Sequence, residues 1–370
     1  MVKPILRVVY LGPAGTYTYE AARQQFDVIS EEEYEVIYTA SPSIARCFEI
    51  INNKECDYAV IPFENSSNGQ VVFTYDLFRD WFCKQSKHQQ QALQNQQQQI
   101  QLPSPGLTQP SSSSSFSSSS SASFNSTRLA QSKGVPSFGV VGEQFVSIHH
   151  YFLTYAKRLS DIKTIYSHPQ VWTQCNNFLA NPNFSNNLEK IDVSSTSRSA
   201  EIVSKLSLSE RNSVAAIASF SASQMYNIPI LFKKIEDNST NTTRFLILGY
   251  NDIPQSKTNV NDLGNSKKLS NKKITLLSFI LKSSYNDHGS LCNTLNCFTS
   301  RNLNLLSITT RPSNLTPWLY MFFIEILTCN DADSTSLNDA LDEIDSFVLE
   351  KSIIGKEFER DAAFYTSGNT

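Results

Sequence analysis

Four times between residues 5 and 218 this chain repeats one device: an apolar run ends in a turn of small polar side chains, and a helical pattern follows. Val8-Val9-Tyr10-Leu11 leads into Gly12-Pro13-Ala14-Gly15-Thr16-Tyr17-Thr18, and Tyr58-Ala59-Val60-Ile61-Pro62 leads into Phe63-Glu64-Asn65-Ser66-Ser67-Asn68-Gly69. A strand-like start at Ile165 meets Ser167-His168-Pro169-Gln170, and Ile191-Asp192-Val193 meets Ser194-Ser195-Thr196-Ser197. Strand, turn, helix is the repeating unit of an α/β fold, and each turn aims backbone N–H groups at one end of the sheet. Helical spacing follows over 19–26, 43–52 and 71–82, and Val214-Ala215-Ala216-Ile217-Ala218 adds a buried strand of small residues. Four such turns with one obvious fixed charge among them describe a cleft for a small, oxygen-rich anion.

Each turn also has a plainer reading. The first lacks the third glycine of a dinucleotide site and the Gly-Lys-Ser/Thr of a P-loop, and Thr16 or Thr18 could simply cap a helix. The second is equally an Asx-capped polar turn. In the third, Pro169 opens a helix and brings Gln170 to its first turn, whereas a lone histidine beside proline is more often structural than catalytic. A fifth stretch, Thr242-Thr243-Arg244-Phe245, puts a hydroxyl, a cation and a ring at the start of the apolar run Leu246-Ile247-Leu248. Strand alternation sends Thr243 and Phe245 to one side and Arg244 to the other unless the ladder bends there. Arg244 read alone is either a ligand for an anion or a solvated surface charge.

The chain has 370 residues, enough for two or three units. Residues 84–134 collapse into Gln and Ser and cannot bury enough apolar surface to order themselves. Lengthening a connection from about 5 to about 50 residues costs only about 2 kcal/mol in closure entropy, so an α/β domain can carry this segment as an insertion. A net charge of −3 offers no basic face for nucleic acid. No apolar run approaches a membrane span, and no signal peptide precedes Val8. Seven scattered cysteines without a CxxC pair read as reduced thiols, hence a cytoplasmic protein. Five histidines without ligand spacing argue for no metal, and no cofactor motif is present.

Read together and in this order, GPAGTYTYEAA from Gly12, YAVIPFENSSNG from Tyr58, SHPQ with the Gln174-Cys175 step, SSTS from Ser194 and TTRFLILG from Thr242 resemble prephenate dehydratase. The resemblance continues beyond residue 273, where the pattern around Ile274, Gly289-Ser290-Leu291, Arg311-Pro312 and Trp318 is similar to an ACT regulatory domain. It implies a two-lobed α/β catalytic domain, periplasmic-binding-protein-like, over residues 1–250, a linker over 251–272 and a βαββαβ ACT domain over 273–370. No chorismate mutase helix precedes Val8, so a monofunctional enzyme is expected.

The implied reaction converts prephenate into phenylpyruvate with loss of carbon dioxide and the ring hydroxyl, and needs no cofactor. By the resemblance, Thr243, Asn65 and Gln170 are catalytic. Arg244 would clamp the pyruvyl carboxylate and Phe245 would face the ring, with Ser66, Ser67, Thr196, Ser197, Thr16 and Thr18 as further substrate contacts. Thr243 is assigned to the leaving hydroxyl, although an alcohol is a poor acid at neutral pH and another group or water then supplies the proton. Glu64 is the one nearby carboxyl in these motifs and is read as structural. L-phenylalanine is the expected allosteric inhibitor, held by Gly289, Ser290, Leu291, Thr309, Thr310, Arg311 and Pro312 in a homodimer or homotetramer. Thr309 departs from the family's glutamate, which puts that inhibition in doubt. Arogenate dehydratase, a solute receptor and an inactive amino-acid sensor are the alternatives.

Overall fold

The computed structural model describes residues 3–30, 33–83, 136–185, 187–254, 272–282 and 288–359. The Gln/Ser insertion and most of the expected linker lie outside these residues.

The first lobe is built from β1 (Ile5–Leu11), α1 (Tyr17–Ser30), β2 (Glu35–Ser41), α2 (Ile44–Asn52), β3 (Tyr58–Asn65), β4 (Gly69–Gln70), α3 (Val72–Phe82) and β5 (Gly139–Ser147), and one later strand returns to it. Sheet order is β2-β1-β3-β11-β5, where β11 is Thr242–Gly249 and β4 forms a hairpin with β3. β1 runs parallel to β2 and β3, while β11 lies antiparallel to both β3 and β5. Val8, Val9 and Tyr10 are buried on both sides of β1, as a parallel strand covered on each face requires. Helix α1 covers one face through Ala21, Ala22 and Phe26, while α2 and α3 cover the other through Phe48 and Phe78.

The second lobe comprises β6 (Tyr151–Thr154), β7 (Thr164–Ser167), α4 (Pro169–Gln174), α5 (Asn176–Leu179), β8 (Glu189–Asp192), α6 (Thr196–Ser204), β9 (Val214–Ala218), α7 (Phe220–Tyr226) and β10 (Ile230–Phe232), in sheet order β10-β6-β9-β7-β8. Ala215, Ala216 and Ala218 are fully buried and let the covering helices come close. The chain crosses between lobes after β5 and again before β11. The two crossings run side by side, with the Ile148 N–H donating to the Asn241 carbonyl at 2.8 Å and the Ile235 N–H to the His150 carbonyl at 2.9 Å.

Beyond residue 272 the elements are β12 (Lys273–Leu281), α8 (Ser290–Thr299), β13 (Asn304–Pro312), β14 (Tyr320–Thr328), α9 (Asp331–Glu343) and β15 (Val348–Glu359). They form an antiparallel βαββαβ sheet in the order β13-β14-β12-β15. One face packs under α8 and α9 through Leu277, Phe298, Ile324 and Leu337. The other face puts Ile274, Leu276, Phe323, Ile354 and Phe358 into the same apolar cluster as Phe48, Phe63 and Phe78 of the first lobe. A shared core therefore joins the C-terminal unit to that lobe. A Cβ added to Gly355 would stand 2.7 Å from the Val140 carbonyl oxygen, so only glycine lets β15 approach β5 this closely. No helix among the described residues is long and apolar enough to cross a membrane, and no disulfide links the seven cysteines.

Candidate active site

Asn65 ends β3 and organises the turn that follows. Its side-chain carbonyl accepts the Ser67 and Asn68 N–H groups at 3.0 and 2.9 Å, closing an Asx turn, and Gly69 takes φ +77° to enter β4. The Asn65 amide then reaches across to the start of β11. It donates to the Asn241 side-chain oxygen at 2.8 Å and to the Thr243 hydroxyl oxygen at 2.9 Å. Ser66 ties the same strands together, its N–H donating to the Thr242 carbonyl and its hydroxyl accepting the Thr242 N–H. Thr243 thus receives a hydrogen bond on its oxygen, and no acceptor for its own proton stands among the described residues. Ser66 and Ser67 are exposed beside it.

Two expectations for this strand are corrected. Arg244 faces the interior: its Nε donates to Glu143 at 2.7 Å, and Nη1 and Nη2 make a two-pronged contact with Glu325 at 3.0 and 2.6 Å. The guanidinium lies over the Phe63 ring, 5.2 Å from its centroid, and the residue is 6 % exposed. A cation already holding two carboxylates in a closed site is not a clamp for a third. Phe245 is 1 % exposed and packs with Phe26, Tyr58 and Val146 under α1, so its ring belongs to the core. Alternation explains both: Thr243, Phe245 and Ile247 face α1, while Arg244, Leu246 and Leu248 face the C-terminal unit. Glu64 pairs with Arg244 in register, hence on the face away from the Thr243 hydroxyl. Burial raises its pKa, Arg244 opposes the rise and Glu325 adds to it.

The glycine turn is also local and interlobe architecture. The Thr16 hydroxyl donates within its own turn toward the Leu11 and Pro13 carbonyls and accepts the Tyr19 N–H, which makes it the helix cap, while Thr18 is buried. Ser197, fully buried, donates to the Ala14 carbonyl, and Ser219 donates to the Gly15 carbonyl at 2.8 Å. Gly15, at φ +80°, has Ser197 and Ala222 where a Cβ would project. The starts of α6 and α7 thus dock on the first lobe through Ser197 and Ser219, while the Thr16 hydroxyl is engaged within its own turn. Thr196 opens α6 at 9 % exposure. Gln170 sits exposed in the first turn of α4, behind Pro169 and capped by His168.

A cluster that the sequence did not signal lies at the lobe crossing. His150 is buried, with Nε2 2.7 Å from the Gln174 side-chain oxygen and Nδ1 3.2 Å from the Tyr17 hydroxyl, which itself donates to the His149 carbonyl at 2.7 Å. His149 Nδ1 meets one Glu236 oxygen at 2.6 Å, and the His150 N–H donates to the other at 2.8 Å. Tyr17 belongs to the first lobe, Gln174 to the second, and the remaining groups to the crossings. Burial lowers the His150 pKa below its ordinary 6.5, with Gln174 and Glu236 opposing the shift. Burial likewise raises the Glu20 carboxyl, opposed by the Ser221 and Ser219 hydroxyls across the lobe boundary.

The sign of the His150 shift sets a pH response. A folded state that prefers neutral imidazole keeps its full contribution above pH 6.5 and loses it as pH falls through the depressed value. Thermal stability of the native protein is expected to drop as pH falls below about 6.5, and His150→Asn to flatten that part of the profile. An unchanged profile in the variant would remove His150 from this role.

In the C-terminal unit, Gly289 takes φ +86° and opens α8 ahead of Ser290 and Leu291. Thr309, Thr310, Arg311 and Pro312 lie on β13, where this segment docks on the first lobe. The Thr309 hydroxyl meets the Gln70 amide, Arg311 grips Asp76 of α3 with two hydrogen bonds of 2.9 and 3.0 Å, and the Pro312 carbonyl accepts from Arg79.

A prephenate dehydratase family model matches residues 8–253. A protein of Saccharomyces cerevisiae called "Probable prephenate dehydratase" is 32% identical over 348 residues, 89% of this chain and 89% of its own. The prephenate dehydratase of Methanocaldococcus jannaschii is 26% identical over 352 residues, covering 94% of this chain and 97% of that one. Among solved structures, the Arthrobacter aurescens prephenate dehydratase in complex with L-Phe superposes with a TM-score of 0.64 at 20% identity, over 98% of this chain and 97% of its own. At that identity the likeness carries the fold, while the family match and the yeast relative carry the assignment. The two-lobed α/β chain with Asn65 and Thr243 joined across β3 and β11 belongs to the prephenate dehydratase family.

Proposed function

We propose that the Asn65–Thr243 pair performs the leaving-group chemistry when prephenate becomes phenylpyruvate, carbon dioxide and water in phenylalanine biosynthesis. The 2.9 Å hydrogen bond from the Asn65 amide into the Thr243 oxygen carries the reading. A hydroxyl that accepts a hydrogen bond becomes a better donor of its own proton. In the reaction the ring C–O bond breaks and its oxygen departs as water after gaining a proton. The bond to the ring carboxylate breaks as its electron pair enters the ring, so aromatisation drives both cleavages. Thr243 hydrogen-bonds the departing oxygen, and the one proton the reaction consumes, which turns that oxygen into water, is drawn from the solvent pool, since a threonine hydroxyl is too weak an acid to give one outright.

With Arg244 held by Glu143 and Glu325, the substrate carboxylates meet neutral donors: the hydroxyls of Ser66, Ser67 and Thr196 and the Gln170 amide. That suits the ring carboxylate, which loses its charge as it leaves. A cation on it would stabilise the ground state more than the transition state.

The C-terminal βαββαβ unit is read as an ACT domain whose segments 289–291 and 309–312 take L-phenylalanine as inhibitor, in a homodimer or homotetramer of a cytoplasmic enzyme. The L-Phe complex of the Arthrobacter relative supports the effector. The test is phenylpyruvate formation by the purified chain from prephenate or arogenate, with and without phenylalanine. Prephenate turnover suppressed by phenylalanine is the expected result. No turnover of prephenate would overturn the catalytic reading, and turnover indifferent to phenylalanine would overturn the regulatory one.

A further inference from the structure

The two proposed catalytic positions lie on first-lobe strands whose neighbouring residues, Arg244 and Gln70, bond to the C-terminal sheet. Behind Thr243, the next side chain of β11 is Arg244, and its outer nitrogens are held by Glu325 of β14. Glu325 is 4 % exposed and is itself fixed by the Ser307 hydroxyl of β13 at 2.8 Å. Behind Asn65, the β3–β4 hairpin ends at Gln70, whose amide meets Thr309 on the same β13 strand. Ser307 and Thr309 pair with Glu325 and Phe323, so these footings occupy one small patch of the β13–β14 ladder. A planar guanidinium gripped at two points transmits a displacement of its partner, because the fork has one geometry for both bonds. Nη1 and Nη2 point to the C-terminal unit and Nε to β5, which leaves the start of β11 clamped between the two.

We propose that Glu325 is a positioning residue for the dehydration: by gripping Arg244 it fixes the start of β11, and with it the Thr243 hydroxyl, so the C-terminal unit is part of the active-site framework. The inference rests on the role given to Thr243 above. It differs from a purely structural salt bridge in what it predicts, because misplacing a reacting group by about 1 Å costs rate far more than affinity.

The experiment measures kcat and KM for prephenate, with melting temperature, on the full chain and its variants. Glu325→Gln keeps the shape but removes the charge, and is expected to lower kcat roughly tenfold to a hundredfold with KM changed less than about threefold. Glu325→Asp should recover part of the loss. Ser307→Ala, which leaves both Arg244 ion pairs in place, should lower kcat in the same direction by a smaller factor. It decides the matter alone if Glu325→Gln does not fold. In a Thr243→Val background, Glu325→Gln should cause no further loss, since both changes act on one hydroxyl.

Wild-type kcat in Glu325→Gln and Ser307→Ala, whatever their melting temperatures, would overturn the proposal while leaving Thr243 in place. A full multiplicative loss in the Thr243→Val background would overturn it by placing Glu325 elsewhere in the mechanism. Wild-type turnover in Thr243→Val alone would overturn the reading of Thr243, and with it this route.

Discussion

Arg244→Met is expected to destabilise the protein by about 3–5 kcal/mol, the usual cost of removing one member of a buried charge pair. The change takes away the cation shared by the Glu143 and Glu325 side chains, which are 0 and 5 % exposed, and leaves both buried carboxylates without that ion pair. Met fills much of the volume, so packing against Phe63 and Phe145 is largely kept and the loss is electrostatic. Urea denaturation of the native and variant chains measures it directly. Under conditions where the variant is folded, KM for prephenate should stay within about threefold of the native value, since the guanidinium holds protein carboxylates and not substrate. A variant with native stability and a KM raised by orders of magnitude would return Arg244 to the role of substrate clamp that its place in the motif suggested.

The fold was legible because the strand–turn–helix device repeats, although the run at Ile191 forms an edge strand with no buried residue and the helix after the second turn has no side-chain cap. Ser43 and Ser195 both cap their helices through the side-chain oxygen, as the sequence pattern implies. β2 escaped because Glu35–Ser41 is an edge strand with mostly exposed or half-buried side chains, so its apolar signal is thin. Helix α9 begins at Asp331 with little apolar signal, because Asn330 caps it and its first turn is polar. Alternation along 243–245 was also legible: one side chain was bound to part from the other two. Which face met the cleft was not, because the partners of Arg244 lie 101 and 81 residues away on β5 and β14. The same distance in sequence hid the crossing cluster. His149 and His150 stand in tandem, yet they acquire meaning only through Tyr17 and Glu236, each more than 80 residues distant.

The turn motifs divide in a physically intelligible way. Residues of the second turn project from a hairpin that closes on β11, and Asn65 and Ser66 therefore bond to the strand that carries Thr243. Those of the first and fourth turns meet each other across the lobe boundary, where Ser197 donates to the carbonyl of Ala14, and Ser219 at the start of α7 donates to that of Gly15 beside it. A hydroxyl-rich helix start serves equally well for a ligand or for a neighbouring loop, and sequence contains nothing that separates the two.

Thr243 is the position where the smallest change should have the largest effect on turnover. Valine matches threonine in shape and keeps the strand, but it deprives Asn65 of one acceptor and the departing hydroxyl of its donor. Loss of a placed donor costs about 10²–10³ in kcat in comparable sites, and Thr243→Ser, which retains the hydroxyl, should recover most of it. The most direct measurement is phenylpyruvate formation at saturating prephenate by the native chain, Thr243→Val and Thr243→Ser. A kcat lowered at least about a hundredfold in the valine variant, with KM nearly unchanged and serine close to native, is the predicted result. Native turnover in the valine variant would contradict the account.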